Sequence, residues 1–178
     1  MLLQKIVSLL LEVIKNYYMA TYIFFWNPDI SSVTKDRYME EFHEGAFDNW
    51  SIYEYENVKY GDEFYMVICG SINAVVAKGV ILSEAYEDMD WSPKNRKHIH
   101  YVDIDTYVAV NPFLTDTLLS AEAVAKEIPG FDWFGGHSGR LLDDESTKKL
   151  DKLFENYVKS NPQLIHDHVM WDDEWNTK

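Results

Sequence analysis

The sequence predicts an α+β domain, a small mixed or antiparallel β-barrel flanked by helices. Three observations predict it. Five or six short segments rich in β-branched and aromatic residues are set apart by turn signals, and stretches of helical periodicity lie between them and at the ends. No glycine-rich loop links a strand to a helix, which removes Rossmann and P-loop architectures. The 178 residues suit one domain with short appendages. With 8 Gly, 5 Pro and no repeat, collagen, solenoids and wholesale disorder are excluded.

Residues 1–20 are the first element. The stretch is apolar, but Lys5, Glu12 and Lys15 interrupt it, and its longest uncharged run covers residues 6–11. That falls far short of the roughly 20 residues that span a bilayer, and no signal-peptide pattern is present. Leu2, Ile6, Leu9, Leu10, Val13 and Tyr17 share one helical face. An amphipathic helix that packs or binds a partner is expected, a membrane-surface helix being the alternative.

Residues 21–26 (TYIFFW) read as a buried strand, stopped by Asn27-Pro28-Asp29. Residues 31–45 look helical, with Ser32 or Thr34 as cap and Gly45 as terminator. Residues 49–56 alternate like a strand. Residues 63–69 and 74–83 read as a strand pair about the turn 70–73, after a Gly61-Asp62 turn. A polar loop at 87–97 precedes an alternating strand at 98–110. Residues 120–128 form a helix closed by Pro129-Gly130, and 131–140 a Trp- and Gly-rich loop. Asp143 or Asp144 caps a helix to about residue 159, with Leu150, Leu153, Phe154 and Tyr157 on one face. The expected division is an N-terminal helix (1–20), a domain (21–160) and an acidic appendage (161–178).

Thirty acidic against sixteen basic side chains give a net charge of −14, so any polyanion must be met by a local basic patch. The single cysteine, Cys69, excludes an intrachain disulfide and a multi-cysteine metal cluster. It fits a cytoplasmic location, and as part of a buried strand it is expected to pack rather than react.

Several motifs, in order, carry a family resemblance. Residues 22–28 (YIFFWNP) run from a strand into a small polar residue and proline. Trp50-Ser51 stands in the second strand, Gly61-Asp62 leads into Glu63-Phe64-Tyr65, and Lys78-Gly79 opens a stretch that runs through Ser83 and Tyr86 to Asp88, with Trp91 beyond it. Tyr101 to Ile104 follows, then Trp133 with Ser138-Gly139-Arg140. Over residues 21–158 this order and spacing resembles the EVE domains of the PUA-like superfamily, above all the divergent EVE-type modules of bacterial modification-dependent restriction systems. The resemblance implies a partly open, PUA-like β-barrel with a pocket for one nucleobase, often a modified one, since relatives among EVE and YTH domains take a base out of its stack into an aromatic-lined cavity. The chain departs from that pattern in lacking nuclease or AAA-motor segments and in its acidity.

Reading a base without cutting it takes aromatic faces, fixed polar groups at its edge and cations for the flanking phosphates. Candidate faces are Trp26, Trp50, Trp91 and Trp133; candidate edge readers are Asn27, Ser51, Ser83 and Ser138. Candidate phosphate contacts are Lys94, Arg96 and Lys97 in the densest basic run, with His137 and Arg140, and Gly135 and Gly136 let backbone amides approach an anion. Each has a plainer reading beside it: tryptophans as core, Asn27 as turn chemistry, the basic run as a solvated loop.

His98-x-His100 and His166-x-His168 each offer two imidazoles at metal-ligand spacing, but neither has a recognisable third ligand, so no metal or cofactor is expected. Gly136-His137-Ser138-Gly139 lacks the geometry of a nucleophile elbow, and no enzyme is expected. The expected function is a non-catalytic module for a base in DNA or RNA. The alternative is a protein-interaction module or homodimer using the N-terminal helix and the tail, where Trp171 and Trp175 would share a helical face. A His-ligated hydrolase is a third reading, its sign a tightly retained metal.

Overall fold

The structure, a computed structural model, describes residues 3–7, 10, 19–92 and 94–167. Residues 3–7 and 10 are helical, and Leu3, Ile6, Val7 and Leu10 are exposed. The rest of the expected N-terminal face (Leu2, Leu9, Val13, Tyr17) lies outside the described residues, as do His168, Trp171 and Trp175. No helix among the described residues is long and apolar enough to cross a membrane.

Nine strands form one curled, half-barrel sheet in the order β2-β6-β4-β3-β1-β8, with β5 and β9 also pairing β6 and β7 pairing β4. The α+β class expected from the sequence is what folds. β1 (Thr21–Trp26) is buried at every position, because it is a central strand covered on both faces. It runs parallel to β3 (Glu63–Ile68) and antiparallel to β8 (Arg140–Leu142). β3 pairs antiparallel with β4 (Ala74–Ile81), and β4 with the long β6 (Ile99–Val110). Register slips at Lys78/Gly79, where a Cβ on Gly79 would sit 2.1 Å from the Asp105 carbonyl oxygen. Only glycine lets β6 approach so closely.

Among the described residues after residue 20, three helices cover the sheet. α1 (Lys35–Glu41) is shorter than the helix expected at 31–45. Thr34 caps it, accepting from the Arg37 N–H, and the residues before it are held by the Trp26 indole N–H donating to the Val33 carbonyl at 2.7 Å. α2 (Ala121–Glu127) is capped by Ser120, and α3 (Asp144–Ser160) by Asp143. α3 buries Leu150, Phe154 and Tyr157, the expected face, with Leu153 partly buried beside them.

The short strands depart from expectation. β2 (Asn49–Ser51) stops well before residue 56. β5 (Tyr86–Asp88), β7 (Leu119–Ser120), β8 and β9 (Ile165–Asp167) fall in segments read as loop, helix cap or tail. They are two or three residues long, too short to show a period, and exist because a long neighbour offers free backbone groups.

The chain that leaves β2 determines how far the sheet closes. Ile52 N–H still donates to His100 O, but Tyr53 and Glu54 N–H donate to Ser138 O and Gly139 O, while Gly139 N–H donates to Ile23 O at 2.8 Å. Ser138-Gly139 thus stitches the β1 side of the sheet to the β2 side. Gly139 has φ +79°, and a Cβ there would lie 2.6 Å from Ile52 Cα. Glycine is required on both counts.

Candidate functional site

At this seam the sheet opens into a cavity of about 450 Å³. Its floor is Trp50, buried and edge-on to Phe47. The Trp50 indole N–H donates to Ser138 Oγ at 3.0 Å and lies 3.3 Å from the Phe25 carbonyl oxygen. Ser138 Oγ also accepts from the Phe25 N–H at 2.9 Å. Both acceptor positions of this hydroxyl are filled, so what it retains for a ligand is its proton.

Planar rings flank the floor. Tyr53 stacks on His137 with ring centroids 4.0 Å apart and planes 5° from parallel, and Tyr55 stacks on His100 at 3.5 Å and 8°. Ser51, Tyr53 and Tyr55 are two residues apart and all line the cavity. Asn27 lines it as well. Its Oδ1 accepts from the Asp29 N–H in an Asx turn, while its Nδ2 donates to nothing among the described residues.

The rim is basic because of one buried acid. The Asp90 side chain is completely covered and accepts from the Ser92 N–H, the Arg96 N–H and Arg96 Nε, the last at 2.7 Å. Burial opposes its ionisation, but the hydrogen bonds from Arg96 and Ser92 outweigh this and hold its carboxyl well below the usual carboxylate range. With the loop pinned this way, and Asn95 in the left-handed region at φ 47°, Lys94, Arg96 and His98 are brought to the cavity. Lys94 makes no ion pair among the described residues, whereas His98 lies 3.2 Å from Glu87. Among the described residues no carboxylate lines the cavity, although acids outnumber bases almost two to one in the chain.

A second cavity of about 380 Å³ adjoins the first and shares Trp50, Ser51, Ser92 and Arg96 with it. Trp91, more than half exposed, lies on its far side, with its backbone N–H donating to the Tyr101 hydroxyl.

Of the residues singled out from the sequence, Asn27, Trp50, Ser51, Lys94, Arg96, His137 and Ser138 converge on the first cavity and Trp91 on the second. The others lie elsewhere. Trp26 and Trp133 are fully buried, their indole N–H groups donating to the Val33 and Ile128 carbonyls. Ser83 Oγ accepts from the Asp103 N–H. Lys97 and Gly135 do not line the cavity, and Gly136 does. Arg140 lies over the Phe131 ring at 4.4 Å and donates to the Asp132 carbonyl, a packing role. Cys69 is half-buried on the cavity wall; burial pushes its thiol up, with Lys94 opposing.

His98 and His100 both face the cavity, one beside Glu87 and one stacked on Tyr55. Among the described residues no group of three or more His, Cys, Asp or Glu side chains is placed to hold a metal ion. Sequence reasoning missed the aromatic lining given by Tyr53, Tyr55 and Phe25, and also Ile30, Ser31, Ile52, Ser92 and Ile99. The signal for the two tyrosines was their place directly after Trp50-Ser51, since the chain bends at residues 53 and 54 and brings both sides of residues 50–55 to the cavity.

Neither a family model nor a curated protein matches the chain. Solved structures do. The YTH domain-containing protein mmi1, solved in complex with RNA, is similar with a TM-score of 0.51 and 13% identity over 82% of this chain and 87% of that one. A second Mmi1 YTH domain complex with RNA gives 0.50 at 11% identity, covering 80% and 82%. A hypothetical protein from Leishmania major gives 0.51 at 13%, covering 79% and 98%. At such identities the similarity speaks of architecture: the fold is the YTH and PUA-like one.

Proposed function

We propose that this chain is a non-catalytic module that takes one nucleobase, in single-stranded or flipped form, into the Trp50 cavity, the base being a modified one. The carrying observation is a cavity floored by a fixed indole and flanked by stacked rings, with lysine and arginine at its rim and no carboxylate among the described residues of its lining, in a chain of net charge −14. A base is planar and uncharged at its ring and anionic at its backbone, which is the complement of this arrangement. The Ser138 proton and Asn27 Nδ2 are donors for acceptor atoms on the base edge, and Lys94 and Arg96 are positioned for flanking phosphates. The RNA complexes of the YTH-fold neighbours support the reading by analogy of architecture.

The test is a titration of intrinsic tryptophan fluorescence at low salt with short single- and double-stranded DNA and RNA. Each oligonucleotide carries unmodified, 5-methyl-, 5-hydroxymethylcytosine or N6-methyladenine bases. Quenching that prefers single strands and one modification, and that weakens in Tyr55→Ala, is expected. No quenching by any member of the panel overturns the proposal.

A second reading is a protein-interaction surface, favoured by the exposure of Leu3, Ile6, Val7 and Leu10. Its expected sign is a change of mass in solution when residues 1–19 are removed; an unchanged mass excludes self-association through that segment.

A further inference from the structure

The polar side chains around the Trp50 cavity share an orientation. Asn27 Oδ1 accepts from the Asp29 N–H at 3.0 Å, Ser31 Oγ from the Val33 N–H at 3.1 Å and Ser92 Oγ from the Lys94 N–H at 3.3 Å. Ser138 Oγ accepts twice, from the Phe25 N–H and the Trp50 indole. In each case an oxygen is engaged by the protein's own N–H groups, while the hydroxyl or amide protons stay uncommitted among the described residues.

The Asn27 amide is the most sharply defined of these groups. A backbone N–H donates to the oxygen of a carboxamide and not to its nitrogen, so the bond from Asp29 settles which end is which. The group also lies against Gly70, where a Cβ would stand 3.3 Å from Oδ1 and 3.5 Å from Nδ2. Lys94 and Arg96 add donors alone, since neither side chain accepts. The imidazoles of His98, His100 and His137 and the Ser51 hydroxyl act in either sense. Among the described lining residues there is no carboxylate, and the one side-chain amide oxygen is already engaged.

Bases differ in what they show to such a wall. Uracil-type and guanine-type bases carry an oxygen where cytosine and adenine carry an amino group, O4 against N4 in pyrimidines and O6 against N6 in purines. An oxygen accepts from the wall, whereas an amino group turned to it leaves donors facing donors, unpaired where water has been displaced.

We infer that the cavity selects a base with an oxo group at pyrimidine position 4 or purine position 6 over its amino counterpart. The inference rests on the base-binding reading and narrows it: a 5-substituted cytosine binds as the weaker analogue of the same 5-substituted uracil. Asn27 Nδ2 and the Ser138 hydroxyl are the donors assigned to that edge. The stacked rings and the phosphate contacts are indifferent to the choice, because every base has a face to stack and every strand carries phosphates.

Tryptophan fluorescence of the full chain is titrated with short single strands in which one central nucleotide carries a base and its neighbours are abasic, so that no second base competes. Uracil is compared with cytosine, 5-hydroxymethyluracil with 5-hydroxymethylcytosine, and hypoxanthine with adenine. The members of each pair differ only at the oxo or amino position and in the proton of the adjoining ring nitrogen. Expected is tighter binding of the oxo member by about tenfold in the pyrimidine or the purine series, and the series that shows it names the ring the cavity takes. Asn27→Asp keeps an oxygen to accept from Asp29 and exchanges the donor for an acceptor. Its added charge weakens both members of a pair alike, and the ratio between them is expected to fall to about one or to invert. Equal affinities within every pair, or a preferred amino base, in strands that bind better than a wholly abasic one, overturn this inference and leave the base-binding reading standing. A ratio unchanged in Asn27→Asp overturns the assignment to this edge. If no strand exceeds the wholly abasic one, both fall.

Discussion

Beneath α3, Lys78 Nζ reaches Asp151 at 3.0 Å and Glu63 at 3.3 Å and lies over the Tyr65 ring; at the cavity rim, Lys94 has no carboxylate partner among the described residues. The surroundings extend the contrast. Under the helix, the Tyr65 hydroxyl donates to Asp151 and the Tyr107 hydroxyl to Glu63, and burial foremost, with those carboxylates, pushes both phenols far above their ordinary range. At the rim, Tyr53 and Tyr55 give their faces to histidines instead, and both reach solvent, Tyr53 more than Tyr55. The same residue types make a clamp in one place and a receptive surface in the other. Pairing separates them: a lysine matched by carboxylates holds structure together, and one left unmatched beside open rings has its charge to offer a ligand.

The largest effect should come from unbalancing the clamp. Lys78→Met leaves Glu63 and Asp151 facing each other without a cation. Because these side chains are only partly buried, the expected loss is about 2–3 kcal/mol rather than the larger cost of a fully buried pair. Denaturant unfolding measures it, and oligonucleotide affinity, corrected for the folded fraction, should not move. Reduced affinity in the folded fraction would break the separation of the two regions.

Next come the rings. Tyr55→Ala should weaken oligonucleotide binding by about 1–2 kcal/mol through lost stacking while leaving the midpoint of unfolding nearly unchanged. A drop in stability with no loss of affinity would make the Tyr55–His100 stack a structural element like the clamp.

Asp90 sharpens the comparison, since it is a carboxylate that serves the receptive side. Its pKa is lowered on folding, so its contribution is complete above the unfolded value of about 4 and is lost as pH falls through and below that value. Asp90→Asn should therefore flatten the acid limb of the stability curve, cost about 1 kcal/mol at neutral pH, and reduce affinity by loosening the loop that carries Lys94 and Arg96. An acid limb identical to that of the unsubstituted chain would remove Asp90 from this role.

The smallest effect is expected from Lys94→Gln. Affinity should fall only a few-fold, but the slope of log affinity against log salt should shrink by about one unit, the mark of one phosphate contact. Lys97→Gln, off the cavity, should leave the slope unchanged.

Long elements were legible in the sequence for physical reasons. α3 advertises itself through the Asp143 cap and a face of Leu150, Phe154 and Tyr157, and β1 through an unbroken run of apolar residues. The same run held the information that Trp26 belongs to the core, since a strand without alternation is covered on both faces. Residue type alone drew Trp26 and Trp133 into the expected site. Trp50-Ser51 and Ser138 were visible only as motif fragments, because what unites them is a bond across 88 positions. The Tyr53–His137 stack comes from a chain crossing that carries no local signal.

The Ser138 hydroxyl joins the Trp50 ring, the β1 backbone and the seam of the sheet in a single junction. Ligand choice and folding are therefore written into different residues of one cavity. The floor tolerates substitution least, since a change at Ser138 or Trp50 removes a bond that joins β1 to β2, while Tyr53, Tyr55, Lys94 and His137 are expected to be exchangeable with the scaffold intact. A redesign, or natural drift, that seeks a different base has its freedom at the rim, and a library confined to those four positions should return folded proteins of altered preference rather than unfolded ones.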